Sequence, residues 1–116
     1  MNPWIEKHAA AIALRAEREL EALVGVSSPS GDIPGAEEAI AIAIAFAPDA
    51  AQAHRVPCST PSCAPDLLLR VEGTGTGRLL LLGHLDTVVD HAHHRPASVD
   101  AHRMTGSGTV DMKGGD

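Results

Sequence analysis

Four consecutive leucines at positions 79–82 lead without a break into Gly83-His84-Leu85-Asp86. A run that is apolar on both faces needs cover on both sides, so it predicts a central strand of an α/β sheet rather than an edge or a surface strand. In such sheets ligands bind at the carboxyl ends of the strands, which is where His84 and Asp86 fall. The two are two residues apart, so an extended backbone puts both side chains on one face. A carboxylate beside an imidazole fixes its tautomer and raises its basicity toward a divalent metal. From the spacing alone, ordinary loop residues at a strand end remain an equal reading.

The rest of the chain supplies elements to cover such a strand. Ile5, Ala9, Ile12, Ala16, Leu20 and Leu23 recur at helical spacing opposite Glu6, Lys7, Arg15, Glu17, Arg18 and Glu21, which predicts an amphipathic helix over 4–24 with Leu14 on its polar side. The Ser, Pro, Gly and Asp of 27–35 predict a loop. Segment 36–47 alternates Ile and Phe with Ala as a strand would, yet its Ala content and the preceding Pro34 favour a helix ended by Pro48. A short strand at 53–56 is expected, and runs 67–72 and 78–83 around Gly-Thr-Gly-Thr-Gly predict an antiparallel hairpin. A strand-like piece follows at 103–105. The expected fold class is therefore α/β, with two helices packed on a mixed sheet.

Composition narrows the function. The 116 residues carry nine Lys plus Arg against fifteen Asp plus Glu, a formal charge of −6, and no basic stripe, which argues against a nucleic-acid partner. No apolar run approaches the ~18 residues of a membrane helix, and the start lacks the plan of a signal peptide. With Cys58 and Cys63 too few for a disulfide framework, a reduced cytoplasmic protein is expected. Trp4 and Phe46 are the only aromatics and nineteen residues are Ala, so a core must come from Ile, Leu and Val.

Other motifs carry less. Gly73, Gly75 and Gly77 lack the Lys-Ser/Thr ending of a phosphate loop and read as a turn, and Asp111 stands where a dinucleotide fingerprint needs a third glycine after Gly106 and Gly108. His91, His93, His94 and His102 read as a solvated loop. His54, Cys58 and Cys63 match no structural zinc spacing, and Ser28 and Ser30 lack a nucleophile elbow.

The second informative segment is Gly-Ser-Gly-Thr-Val-Asp-Met-Lys-Gly-Gly at 106–115, which sets Asp111 between a tight backbone and an expected helix start. In order, GHLDTVV and GSGTVDMKGG resemble the two N-terminal motifs of the di-zinc metallopeptidase and deacylase family that includes succinyl-diaminopimelate desuccinylase, acetylornithine deacetylase, aminoacylase and bacterial glutamate carboxypeptidase. The resemblance spans most of the chain and implies the N-terminal portion, 1–116, of a mixed-sheet zinc-peptidase catalytic domain. The lid or dimerisation domain, the general-base Glu and the remaining ligands are expected beyond it, so that this chain alone would be inactive.

By that resemblance His84 is a zinc ligand, Asp86 the catalytic carboxylate that orients His84 from behind, and Asp111 the carboxylate bridging two metals, with a cis peptide after Asp111. It implies two Zn2+ per complete site, with Co2+ an alternative, hydrolysis of amide bonds in small peptides or N-acyl amino acids, and a homodimeric full-length form. Two expectations compete with it: a non-catalytic metal-binding or interaction module that retains the motifs, and a His-rich metal-storage protein.

Overall fold

The first helix, α1 (Pro3–Gly25), starts where Asn2 accepts the Trp4 N–H through its side chain (2.8 Å) and Pro3 opens the first turn, a position where its missing N–H costs nothing. The computed structural model describes residues 1–115. The second helix, α2 (Ile33–Phe46), is capped by Asp32, whose carboxylate accepts the Gly35 N–H at 2.8 Å. It begins three residues earlier than the sequence suggested. Pro34 and Gly35, read as loop residues, belong to its first turn, because an Asp cap followed by Pro is a start signal in its own right. The helix reading of the ambiguous Ala-Ile alternation holds, and Ala47 and Pro48 end it.

Two small antiparallel sheets complete a mixed α/β chain. Strands β1 (Gln52–Val56) and β2 (Asp66–Arg70) pair with His54 opposite Leu68, and β3 (Ser98–Asp100) pairs with β4 (Arg103–Thr105). This corrects two expectations. The partner of β2 is β1, reached across 57–65, not the segment 78–83, and among the described residues the sheets are two separate antiparallel pairs, not one mixed sheet. Segment 78–83 forms no regular element, and its four leucines are 69–86 % exposed. A central strand requires neighbours on both edges, and no described strand lies beside this one.

The buried residues cluster in one corner. Leu23 and Val24 at the end of α1 and Val26 just after it join Ala39 and Ile40 of α2, and with them Ser28, Thr87, Ser107 and Lys113 are buried. Toward its start α1 is exposed on every face, Ile5 and Ile12 included, so only its C-terminal end packs. Arg55 of β1 holds the first sheet to α2 through a two-pronged pair with Glu37 (both 2.8 Å) and donates to Pro65 O at 2.7 Å. That pairing draws the Glu37 carboxyl below its ordinary range, chiefly by the hydrogen bond itself. No described helix is long and apolar enough to cross a membrane.

Candidate metal site

The segment carrying His84 and Asp86 is held by a loop from the other end of the chain. Ser28 Oγ donates to Leu85 O (2.7 Å), Thr87 N–H donates to Ser28 O (2.8 Å) and Ser30 N–H donates to Thr87 O (2.9 Å), giving a short parallel bridge of Pro29 to Thr87. Asp32 N–H closes a turn onto Pro29 O at 2.9 Å, with Gly31 at φ +85°, the left-handed corner for which glycine is favoured. This turn puts Ser30 against Asp86, and its hydroxyl donates to Asp86 Oδ2.

Asp111 arrives from the other side. Gly106 sits where a Cβ would come within 2.6 Å of Val24 Cγ1, so the glycine lets the 106–111 loop lie on the end of α1. Ser107 and Arg95 exchange two hydrogen bonds, both 2.9 Å, and Asp111 N–H donates to Gly108 O at 3.2 Å. Lys113 is buried below, its ammonium 3.0 Å from Val26 O. Residues Met112–Gly114 form one 3-10 turn where a helix start was expected, and no described peptide bond is cis, including the one after Asp111.

His84, Asp86 and Asp111 thus meet. His84 Nδ1 faces two acceptors, Asp86 Oδ1 at 3.0 Å and Asp86 O at 3.1 Å. Both only accept, so Nδ1 carries the hydrogen in the neutral ring and the lone pair lies on Nε2. That nitrogen faces Asp111 Oδ1 at 3.6 Å. A lone pair opposite a carboxylate oxygen is unfavourable unless a cation, a proton or a metal ion, lies between them. Two donors each ~2.0–2.2 Å from one zinc ion stand about this far apart at a near-tetrahedral to trigonal angle, so the pair fits such an ion. The Asp86 carboxyl is held below its ordinary range chiefly by the Ser30 hydroxyl, against the opposing effect of its partial burial.

The donor set is small. All three side chains are about half exposed, and among the described residues no group of three or more His, Cys, Asp or Glu is arranged to hold a metal. An open surface depression of about 240 Å3 lies beside Asp111, with Thr87, Gly106 and Gly108 in its lining and with Val88 and Val110 standing in solvent at its rim.

The histidines are solvated as their sequence suggested, with His91, His93 and His102 exposed and His94 half-buried, but two of them also make contacts that the sequence did not show. Among the described residues His93 pairs only with Asp90 of its own turn, but His91 Nε2 lies 3.3 Å from Asp32 Oδ2. The neutral ring therefore accepts the Ser27 hydroxyl on Nδ1 (2.7 Å), and His94 Nε2 lies 3.2 Å from Gly25 O. These contacts fasten the far side of the 27–32 loop and draw the Asp32 carboxyl down, after the larger effect of the Gly35 N–H. Cys58 and Cys63 are free thiols. Reading the sequence missed Ser28 and Ser30 as site supports, although Pro-Ser-Gly-Asp ahead of a helix was a turn signal that could have drawn attention to them. No protein-family model, curated protein or solved structure matches the chain.

Proposed function

We propose that the chain is the N-terminal part of the catalytic domain of a zinc-dependent hydrolase that cleaves amide bonds in small peptides or N-acyl amino acids. The observation that carries this reading is His84 between two carboxylates: Asp86 on Nδ1 and Asp111 opposite Nε2. His84 and Asp111 would hold the metal, and Asp111 would share a second ion in the complete site. A bound zinc would supply a polarised carbonyl and a water ionised near neutral pH. Asp86 keeps the His84 hydrogen on Nδ1, which leaves Nε2 free to coordinate and strengthens it as a donor.

Catalytic zinc usually takes three protein ligands and a water, and the described residues bring two. The isolated chain is accordingly expected to bind zinc more weakly than ~1 μM and to turn over no amide substrate. The second reading, a non-catalytic metal-binding module, draws on the same two-donor set. It is separated from the first by adding the downstream coding sequence and assaying amide hydrolysis with zinc: turnover abolished by His84→Ala supports the hydrolase, and a longer chain that binds zinc without turnover supports the module. A cytoplasmic setting, consistent with two free thiols, and a homodimeric longer form belong to the same proposal.

A further inference from the structure

We propose that Ser30 is a positioning residue whose hydroxyl fixes the Asp86 carboxylate so that His84 presents Nε2 toward Asp111; its significance for a metal rests on the reading above. A carboxylate on a half-exposed Asp has two equivalent oxygens and turns freely unless both are engaged. Here they are divided: Oδ2 accepts the Ser30 hydroxyl and Oδ1 accepts His84 Nδ1–H. With Oδ2 anchored, Oδ1 keeps one direction, and the imidazole keeps one ring orientation and one tautomer.

Ser30 can serve as an anchor because its own place does not depend on Asp86. Its N–H is bonded to Thr87 O, Pro29 is bridged to Thr87, and Asp32 N–H closes the turn behind it. Beyond the turn, Asp32 caps α2, and Ser27 and Asp32 both meet His91. The turn is thus fastened at both ends by contacts that leave out Asp86, and the Ser30 hydroxyl is the group it extends to the site. That hydroxyl also lies 3.3 Å from Thr87 O, a second acceptor from the same segment. Ser30 is exposed, so replacing it opens no cavity in the buried corner.

The test uses the whole chain with zinc alone, in neutral buffer, read by NMR. The His84 ring nitrogens report its tautomer without metal, and the ring protons report the zinc midpoint. Ser30→Ala should move His84 from the Nδ1–H form toward the tautomer mixture of an unrestrained imidazole and raise the zinc midpoint by ~10–100-fold. Ser30→Thr, which keeps the hydroxyl, should restore both. An unchanged His84 tautomer in Ser30→Ala overturns the assignment. So does loss of Thr87 amide protection in that variant, since Ser30 would then be holding the loop instead of the carboxylate. A tautomer change in a chain whose His84 never responds to zinc leaves Ser30 as the positioning residue and removes the metal reading instead.

Discussion

The corner around the 27–32 loop and the leucines at 79–82 use their side chains in opposite ways. In the corner Ser28, Thr87, Ser107 and Lys113 are buried among Leu23, Val24, Val26, Ala39 and Ile40, and no described buried side-chain polar atom lacks a partner. In the leucine run, four of the most apolar side chains of the chain stand in solvent. The radius of gyration, 15.5 Å, exceeds the roughly 13 Å of a close-packed chain of this length, as an open arrangement requires. The difference teaches that the site is organised by short-range hydrogen bonds between two loops and two helix ends, while the strongest hydrophobic segment takes no part in holding it.

The corner is therefore where a small change should cost most. At Gly35 a Cβ would run into the Ser27 carbonyl oxygen and the Asp32 carboxylate. Gly35→Ala should lower unfolding stability by about 2–3 kcal/mol in urea melts, since backbone on one side and the helix cap on the other leave little room to relax. Ser28→Ala comes next, at about 1–2 kcal/mol, because the fully buried hydroxyl leaves Leu85 O without its donor. A loss much below this range for both would mean that the corner is not where the stability lies.

Acid should act on the same corner more gently. Asp32 and Asp86 both have carboxyls held below the ordinary value in the folded chain. Their contribution is complete above the unfolded value near ~4 and is lost as pH falls through the lower folded values. A chemical-denaturation series should thus show stability falling below about pH 4, and Asp86→Asn should flatten part of that fall. The smallest effect is expected in the leucine run: replacing residues 79–82 with Ser should shift unfolding by no more than about 0.5 kcal/mol. A drop of several kcal/mol would show that these leucines are buried in solution and would erase the contrast between the two regions.

The same contrast explains what the sequence made legible. Helical periodicity located α1, and Ala content between Pro34 and Pro48 located α2 to within three residues of its start, because those signals lie close together in sequence. The approach of His84 to Asp86 was legible for the same reason, and that of Asp111 came only through the paired motifs. Strand partners were not legible: the apolar pattern of 67–70 marks a strand but does not choose between 52–56 and 78–83, since the choice depends on what the intervening loops permit. Nor was the role of Ser30 or His91, whose contacts are 56 and 64 residues away in sequence. Small polar side chains there look like any turn until the partner segment is in place.

The central claim is that His84 and Asp111 share one cation position, and zinc titration followed by NMR tests it most directly in the unaltered chain, His84→Ala, Asp111→Asn and the triple Gln variant of His91, His93 and His94. The account predicts zinc-dependent shifts centred on His84 and Asp111 that disappear in His84→Ala and Asp111→Asn and persist in the triple variant, even though loss of the His91 contacts makes that variant less stable. Zinc binding that survives both His84→Ala and Asp111→Asn but vanishes in the triple variant would place the metal on the histidine loop and contradict the account.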